Sequence, residues 1–477
     1  MRRVLFWIFF LIASLAWAQQ KPIKNILFII SDDLNTKAIG AYGNPIAKTP
    51  NIDRLAKEGV LFQNAYSQYP VCGPSRASFM FGYYPNATQT YGYVSGRENV
   101  GSSRKSMAEF FKDKGYYTAR VSKIYHMGVP IDIETGSDGQ DDPASWTERF
   151  NSQGPEWKSE GFAELVQNNP DGSIERKGGN VMTIVRSENG DLEQADGKTA
   201  QKAIELLKKL KNEPFFLAVG LVRPHVPFVA PKEYFTDFPW QQIVPPPIAV
   251  GDLEGIPAKG INYVTSQNSE MNFAQKQKAI ASYYASVSFM DAQVGKILDA
   301  LKAEGLEDNT LVIFTSDHGF HLGEHDFWMK VSLKEESVKV PLILKGPGIQ
   351  ASQSPSFTEL LDLYPTLVDL VGFEIPQNLQ GKSLKPILEN PSHRIRDFAF
   401  SVTHGGNSYL IRSDRWAYIQ YGKDGAEGLE LFDMKQDPGQ FQNLAHLDYY
   451  QEIVGEMKSL LQQKLSEIQQ NDLGKTY

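Results

Sequence analysis

Apolar residues along the chain fall into two kinds of pattern. Short, nearly unbroken apolar runs predict buried strands at residues 25–31, 118–124, 215–222, 310–316 and 340–344. Apolar positions at helical spacing predict helices at residues 52–59, 106–114, 198–211, 276–304 and 357–371. Gly115 and Gly305 follow two of these helices as C-terminal stops. Strands that alternate with helices indicate an α/β domain with a mainly parallel sheet flanked by helices.

The pattern changes near Pro391. Residues 398–402, 408–412, 416–421 and 429–432 are typical of short strands separated by turns, and residues 449–468 of a closing helix. We therefore predict a large domain at residues 21–390 and a small C-terminal α+β subdomain with an antiparallel sheet at residues 391–477. Residues 127–195 are rich in Gly, Asp, Asn and Ser, and long segments of this kind in compact domains are often functional.

The first residues have the pattern of a targeting segment. Arg2 and Arg3 precede an apolar run at residues 4–15, and Ala16-Trp17-Ala18 follows as a cleavage site. This order predicts a signal peptide at residues 1–18 and an exported protein. The apolar run is too short for a stable spanning helix, so we expect no stable membrane insertion; a membrane anchor is the alternative.

Composition restricts the possible functions. The chain has 477 residues, of which 41% are hydrophobic and 22% charged, as in ordinary globular proteins. A net charge of −8 argues against non-specific nucleic-acid binding, which needs a basic surface. It leaves open a polyanionic substrate, because a few local cations can hold one anionic group. The single cysteine excludes an internal disulfide and suggests a reactive thiol or a special role.

Polar pairs follow two of the predicted strands directly. Asp32-Asp33 comes after the strand at residues 25–31, and Asp317-His318 after the strand at residues 310–316. Ligands of open α/β sheets bind at the carboxyl ends of the strands. Neighbouring carboxylates repel each other unless a cation joins them, and calcium takes mainly oxygen ligands. The alternative is that each pair forms an ordinary turn at a strand end.

The surroundings of the cysteine carry a resemblance to a known family. Cys72-Gly73-Pro74-Ser75-Arg76 matches the C-x-P-S-R signature of the type I sulfatases, in which the cysteine is oxidised to formylglycine. Pro74 can open a helix whose N-terminus favours anions, and Arg76 adds a guanidinium. The alternative is a buried, inert cysteine in a turn.

Four further segments resemble the iduronate-2-sulfatase-like branch of that family, and the resemblance covers most of residues 24–375. They are residues 123–126 (KIYH), 223–228 (RPHVPF), 284–294 (YASVSFMDAQV) and 315–325 (TSDHGFHLGEH). The resemblance implies an alkaline-phosphatase-like large domain. It also implies one calcium ion bound by Asp32, Asp33, Asp317, His318 and the formylglycine made from Cys72.

The resemblance also implies catalytic roles. Arg76 would hold the formylglycine hydrate, Lys123 and Lys330 would clamp the sulfate oxygens, and His126 and His225 would transfer protons. Taken singly, either histidine could equally be structural, and Lys330 an ordinary surface lysine. The human-type iduronate enzyme contains several cysteines, whereas this chain contains one. The fold of this chain must therefore be held without disulfides.

The implied function is hydrolysis of a sulfate ester on a sulfated saccharide. A sulfated uronic acid or another sulfated sugar at a chain end is expected; iduronate 2-sulfate and algal or mucosal glycans are candidates. Residues 141–146 loosely resemble a substrate-facing loop, and Thr403-His404 could reach the pocket from the C-terminal part. The implied maturation partner is a formylglycine-generating enzyme or an anaerobic sulfatase-maturating enzyme. It would act in a bacterial cytosol before export to the periplasm or outside.

Two rival functions remain open. One is a phosphoesterase of the alkaline phosphatase superfamily, a class that uses Ser or Thr as nucleophile, usually with two zinc ions. The other is a non-catalytic glycan-binding protein in which Cys72 stays a thiol. The complete signature argues against the first, and the set Lys123, His126, His225 and Lys330 argues against the second.

Overall fold

A nine-stranded sheet forms the centre of the fold in the computed structural model, which describes residues 22–166 and 181–475. The predicted signal peptide, residues 1–18, lies outside the described residues. Numbered along the chain, the strands of this sheet are β1 (Asn25–Asp32), β2 (Val60–Tyr66), β3 (Tyr117–Ser122), β4 (Glu148–Phe150), β7 (Phe215–Pro224), β9 (Thr310–Ser316), β12 (Lys339–Val340), β13 (Leu342–Lys345) and β14 (Ser352–Glu359). They follow the order β12-β2-β13-β9-β1-β7-β3-β4, and β14 also pairs with β2.

Most neighbouring strands of this sheet are parallel. Strand β1 lies between β7 and β9 and is parallel to both, and β3 is parallel to β7 and β4. Strand β13 is antiparallel to both β9 and β2. Every residue of β1 is buried, because both faces of the sheet are covered. The predicted mainly parallel sheet is therefore confirmed.

Helices cover both faces of the sheet. They are α1 (Pro50–Glu58), α2 (Cys72–Phe81), α3 (Pro85–Thr88), α4 (Arg97–Val100), α5 (Met107–Asp113), α6 (Ile131–Thr135), α7 (Ala195–Leu210), α8 (Phe273–Ala303), α9 (Glu335–Val338), α10 (Leu363–Val371), α11 (Lys385–Glu389) and α12 (Gln451–Gln469). Alternate residues of β1 divide between two cores. Ile26, Phe28 and Ile30 pack with α2, α5 and α10, whereas Leu27 and Ile29 pack with α7 and α8.

Two predicted elements differ from the structure, and proline or pairing explains each. The strand predicted at residues 340–344 is divided between β12 and β13 by Pro341, which has no N–H to donate to a ladder. The helix predicted at residues 357–371 begins only at Leu363. Residues before it continue β14, where Glu359 pairs with Tyr66 of β2. The helix prediction was wrong there because pairing with β2 overrides the local pattern.

The C-terminal part forms the predicted antiparallel sheet and closing helix. Its strands β15 (Phe398–Thr403), β16 (Ser408–Ser413), β17 (Trp416–Tyr421) and β18 (Gly428–Asp433) form a meander in sequence order. Phe400 and Ile411 of this sheet share one hydrophobic core with Leu360 and Tyr364 of the large domain. The domain boundary after residue 390 stays a prediction.

The Gly-, Asp-, Asn- and Ser-rich residues 127–195 include short strands. Strands β5 (Gly161–Leu165), β6 (Thr183–Ser187) and β8 (Phe228–Pro231) form a three-stranded sheet, and β10 (His321–Leu322) pairs with β11 (Trp328–Met329). Across residues 22–166 and 181–475, no helix is both long and apolar enough to cross a membrane.

Candidate active site

The two polar pairs predicted at strand ends meet at one edge of the sheet. Strands β1 and β9 pair in parallel with Ser31 opposite Ser316, which brings Asp32-Asp33 beside Asp317-His318. Asp33 has a φ of 64°, so the chain turns sharply as it leaves β1. Asp33 N donates to Asp317 Oδ1 at 3.2 Å. The carboxyl ends of these two strands therefore form the floor of one buried polar site.

Cys72 is the first residue of α2, which places it at a helix N-terminus facing this floor. Its Sγ lies 3.3 Å from His318 Nε2, 3.2 Å from Lys330 Nζ and 3.8 Å from Asp33 Oδ1. Ser75 Oγ donates to the carbonyl oxygen of Asp317 at 2.5 Å, which fastens α2 to the end of β9. Cys72 is thus held at the centre of the site.

The turn at Cys72 also packs tightly against a neighbouring loop. A Cβ on Gly73 would lie 2.6 Å from the carbonyl oxygen of Gly92 and 2.9 Å from Tyr93 Cα. This chain therefore has glycine at the variable position of the signature, because no side chain fits between the two backbones here. This close approach fixes Tyr93 beside the nucleophile position.

Arg76 is fully buried and directs its guanidinium at the floor rather than at Cys72. Its Nε donates to Asp317 Oδ2 at 2.9 Å and its Nη2 to Asp32 Oδ1 at 3.0 Å. Its Nη1 donates to the carbonyl oxygens of Lys123 and Ile124, at 2.6 and 3.0 Å. One guanidinium therefore joins the ends of β1, β9 and β3.

Two lysines bring further positive charge to the site. Lys123 follows β3, and its Nζ forms a buried ion pair with Asp32 Oδ2. Neither atom has a well-oriented hydrogen bond within the described part of the chain. The carboxylate oxygen can therefore still bind a cation, and the ammonium group can still donate to an anion. Lys330 Nζ donates to the two carboxylate oxygens of Asp33 at 2.8 and 3.0 Å.

Backbone carbonyls fix the orientation of two histidines. His318 Nδ1 lies 2.8 Å from the carbonyl oxygen of Gly319, which leaves Nε2 directed at Cys72 and Asp33. His225 Nδ1 lies 2.6 Å from the carbonyl oxygen of Val226, and its Nε2 is 3.7 Å from Asp33 Oδ2. Each imidazole therefore presents Nε2 to the centre of the site.

His126 lies at the edge of the site. Its ring stacks on Tyr93 with centroids 4.2 Å apart, and its buried Nδ1 has no partner among the residues described. Burial, with a contribution from Lys123, lowers the pKa of His126 to about 2. The imidazole is therefore uncharged at neutral pH.

Burial and neighbouring charges shift the pKa values of Asp32 and Asp33 in opposite directions. Burial alone raises the pKa of Asp32, but Lys123 and Arg76 outweigh it and hold that pKa well below its usual range. Burial raises the pKa of Asp33 although Lys330 and His318 oppose it. Burial, reinforced by Asp32, also raises the pKa of the Cys72 thiol, and an uncharged thiol is a weak nucleophile.

The donor set fits a hard cation. One ligand atom each from Asp32, Cys72, Asp317 and His318 lies within 4.8 Å of the others, and the same holds for Asp32, Asp33, Cys72 and His225. All these residues are buried, and Asp32 Oδ2 faces Lys123 Nζ in an ion pair without a well-oriented hydrogen bond. Three buried carboxylates and an imidazole match the oxygen-rich ligands of calcium. The sequence alone did not include His225 in this set.

Comparison with known proteins identifies the family. The model of the family described as Sulfatase matches residues 24–373. The chain belongs to the sulfatase family. A second model, described as N-sulphoglucosamine sulphohydrolase, C-terminal, matches residues 323–469.

Relatives of this chain are themselves named as sulfatases. A sulfatase of Formosa agariphila is 32% identical, and the match covers 92% of this chain and 86% of that protein. Human iduronate 2-sulfatase is 34% identical over 74% of this chain and 70% of that protein. The sulfatase is therefore a sulfuric ester hydrolase of an iduronate-2-sulfatase-like branch, as the signature predicted.

Solved structures support the same fold. A phosphonate monoester hydrolase of Agrobacterium radiobacter gives a TM-score of 0.76 at 22% identity, covering 94% of this chain and 96% of that one. A protein solved in complex with its substrate D-glucosamine-2-N,6-O-disulfate gives a TM-score of 0.71 at 22% identity. The match covers 96% of this chain and 100% of that one. The predicted alkaline-phosphatase-like fold is confirmed.

Two loop expectations have different outcomes in the sulfatase. Asp141 and Asp142 form ion pairs with Arg120 and Arg97, and the preceding Gln140 pairs with His126. A substrate-facing loop at residues 141–146 stays a prediction. His404, by contrast, lines a cavity that also includes Lys330, as expected for a residue that reaches the pocket from the C-terminal part.

Several contributing residues were missed at the level of sequence. Tyr283 on α8 donates its hydroxyl to the carbonyl oxygen of Asp33 at 2.6 Å and accepts from Asn35 N at 2.8 Å, which braces the turn after β1. Tyr93 stacks on His126. The segment containing Tyr284 was noted for its resemblance, but no local pattern indicates that its neighbour Tyr283 reaches the site.

Proposed function

We propose that this sulfatase hydrolyses a sulfate ester on a sulfated sugar, through a formylglycine made from Cys72 and one bound calcium ion. The observation that carries the proposal is the position of Cys72 Sγ, within 3.8 Å of Asp33, His318 and Lys330 at the N-terminus of α2. A nucleophile at this point lies beside both the cation ligands and a lysine. The named activity of the iduronate 2-sulfatase relative supports a sugar as substrate.

Two groups complete the site. Asp32, Asp33, Asp317 and His318 would hold the calcium ion, which would supply positive charge for the sulfate oxygens and for a nearby hydroxyl. Residue 72, as the hydrate of formylglycine, would supply the hydroxyl that attacks sulfur. Cys72 Sγ marks the position of that group in the structure.

The side chains around residue 72 divide the remaining work. Lys123 and Lys330 stabilise charge on the transferring sulfuryl group, because both ammonium groups lie in a buried site where such interactions are strong. His225 would give a proton from Nε2 to the leaving sugar oxygen, which requires its imidazolium form because Nδ1 already bonds the carbonyl oxygen of Val226. Burial and Lys330 oppose that form by lowering the pKa of His225, and Asp32 favours it. His126 would take the proton of the remaining hydroxyl at residue 72 as sulfate leaves. Arg76 acts mainly by positioning, since its donors are directed at Asp32, Asp317 and two backbone carbonyls.

Export and maturation belong to the same proposal. The targeting pattern at residues 1–18 supports export to the periplasm or outside, after modification of Cys72 by a formylglycine-generating or anaerobic maturating enzyme. The sulfatase of Formosa agariphila and the choline-sulfatase of Rhizobium meliloti are bacterial relatives, which supports a bacterial setting.

The test compares mature protein with the Cys72→Ala variant. We expect protein co-expressed with a maturating enzyme to release sulfate from an aryl sulfate, and the variant to have no measurable turnover. The mass of the peptide that contains residue 72 reports whether formylglycine is present. Substantial sulfate release by Cys72→Ala would contradict the proposal.

An aryl phosphonate ester is the control substrate, because the fold also resembles a phosphonate monoester hydrolase. Hydrolysis of that ester with no release of sulfate would favour the phosphoesterase alternative. Formylglycine with no hydrolysis of either ester would favour a binding role.

A further inference from the structure

A cavity of about 340 Å³ lies directly beside the nucleophile position. Its wall includes Tyr93, Asn262, Tyr263, Lys330, His404 and Tyr421. Lys330 connects it to the reaction centre, because its Nζ is 3.2 Å from Cys72 Sγ. The volume falls at the lower end of the range for ligand sites, about 300–1,000 Å³. A sugar whose sulfate lies at Cys72 would extend into this cavity.

Aromatic rings form much of the cavity wall. Tyr93 is 49% exposed and Tyr263 43% exposed, so both rings are available to a ligand. Stacking on His126 and the contact of Gly73 with the Gly92–Tyr93 backbone hold Tyr93 in place. Such rings suit the C–H face of a sugar, which gains dispersion contacts there without needing a charge.

The charges of the wall are already paired. Lys330 is the cationic side chain of the described lining; both oxygens of Asp33 bind it, and in the proposed reaction its remaining charge is directed at the sulfate. Burial lowers the pKa of His404, so its ring is neutral. Lys259 lies near the rim, where it faces Glu427 at 3.9 Å. A carboxylate in the cavity would therefore lack a free counter-ion from these groups, which makes its burial costly.

The hydrogen-bonding groups of the wall favour a hydroxyl. Asn262 is 6% exposed, and its Nδ2 donates to the carbonyl oxygen of Trp328 at 3.0 Å. This bond fixes the amide so that Oδ1, which has no partner in the described part of the chain, remains as an acceptor. An acceptor is satisfied by an O–H group and not by a carboxylate, which has no hydrogen to donate.

Resting on the proposed function, we propose that this cavity binds the sulfated sugar ring and selects a sugar without a carboxylate over a sulfated uronic acid. The aromatic wall binds the ring face, Asn262 and His404 face its hydroxyls, and the missing counter-ion rejects a uronate. The selectivity would separate this sulfatase from its iduronate-acting relatives.

The experiment uses matched sugar pairs. Each pair is a sulfated hexose and the uronic acid with the same sulfate position and ring stereochemistry, so that only C6 differs: CH₂OH or COO⁻. Initial rates of sulfate release give kcat/KM, and inhibition of aryl sulfate hydrolysis reports binding for sugars that do not turn over. We expect the neutral member to be favoured about tenfold or more in turnover or inhibition.

Two variants test whether the missing counter-ion in the cavity wall causes the preference for the neutral sugar. His404→Arg adds a permanent cation to the wall, and His404→Gln is the neutral control. We expect the neutral-to-uronate ratio to fall in His404→Arg and to stay within about twofold of wild type in His404→Gln. Ratios are compared within each pair, so a general loss of activity cancels.

The outcomes separate this inference from the proposed function. Equal use of both members, preference for the uronate, or no interaction with any sugar while aryl sulfate is hydrolysed would overturn the cavity assignment. Failure of mature enzyme to hydrolyse aryl sulfate would instead refute the proposed function.

Discussion

Asp33 is the residue on which the largest number of charged contacts in the site converge. Lys330 binds both its carboxylate oxygens, and Nε2 of His318 and of His225 faces it at 3.2 and 3.7 Å. His225 directly follows β7, the strand that pairs with β1. Because its Nδ1 is occupied by the carbonyl oxygen of Val226, only Nε2 is available to a leaving group.

This geometry leads to a prediction about leaving groups. We expect His225→Ala to lose about 10²- to 10⁴-fold in kcat/KM on alkyl or sugar sulfates, whose alkoxide needs a proton. The loss on an activated aryl sulfate should be much smaller, because a phenolate leaves without one. Initial rates on both substrate classes measure the difference.

The control is His393→Ala, which removes an exposed imidazole from another part of the surface. It should leave both rates unchanged. Equal losses on both substrate classes in His225→Ala would exclude its role as the proton donor.

Sequence identified the site residues whose signal is local and missed those that arrive from distant segments. Asp32-Asp33 and Asp317-His318 could be found because each directly follows an apolar strand, and Cys72 and Arg76 because they share one short signature. Tyr283 hydrogen-bonds Asp33 across 250 positions of sequence, and nothing near Tyr283 indicates that partner. The residues that carry the chemistry could therefore be predicted from the sequence. The residues that hold them in place from distant segments could be found only from the fold.

At the scale of elements, helix α1 has its N-terminus capped by another helix. Its own N-cap residue, Thr49, makes no capping hydrogen bond with its side chain. Instead Asp291 of α8 accepts from Ile52 N at 2.8 Å and from Asn51 N at 3.1 Å. The carboxylate thus satisfies two free donors of the first turn and joins the two helices.

The position of Asp291 gives a prediction about stability and pH. Burial raises the pKa of Asp291 to about 6, although the N–H groups of Ile52 and Asn51 oppose the shift. A raised pKa means that the folded state binds the proton more tightly than the unfolded chain, whose pKa is about 3.9. Stability from this group therefore grows as pH falls from 7 towards 4 and is lost as pH rises through 6.

We expect Asp291→Ala to cost about 1–2 kcal/mol at pH 7 through loss of the cap. The difference from wild type should be about 1 kcal/mol larger at pH 5. Urea unfolding midpoints at the two pH values measure it. Asp299→Ala, which removes an exposed partner of Arg54 on the same helix, should change little at either pH. A difference that shrinks at pH 5 would show that folding lowers the pKa of Asp291, and an unchanged difference would show that Asp291 does not titrate between the two pH values.

Pairing between strands explains why element prediction failed where it did. The pattern at residues 357–371 is apolar enough for one helix, yet its first residues pair with β2 and Glu359 accepts from Phe400 N of the C-terminal sheet at 2.8 Å. The helix begins only where this pairing ends. The central strands were predictable because both of their faces are buried, which leaves an unbroken apolar run.

At the scale of the whole molecule, the sheet concentrates like charge at its centre. The ends of β1 and β9 hold Asp32, Asp33 and Asp317 together in a buried site, where their mutual repulsion opposes folding. Arg76, Lys123 and Lys330 reduce that repulsion, yet ligand atoms of Asp32 still lie within 4.8 Å of those of Asp33 and of Asp317. Such a site is stabilised further by any cation that binds the folded chain and not the unfolded one.

Calcium should therefore raise the thermal stability of the whole chain. At a free concentration of 100 times its Kd, a single ion contributes about 2.7 kcal/mol. We expect the Tm to rise with calcium in a chelator-treated sample and to respond much less to magnesium, which gives up its water ligands reluctantly. Scanning calorimetry with calcium titrated into wild type and Asp317→Asn measures the increment.

The variant should lose most of that increment even if its Tm without calcium differs, because the comparison is between the two responses. An equal calcium response in both proteins would place the ion away from the ends of β1 and β9.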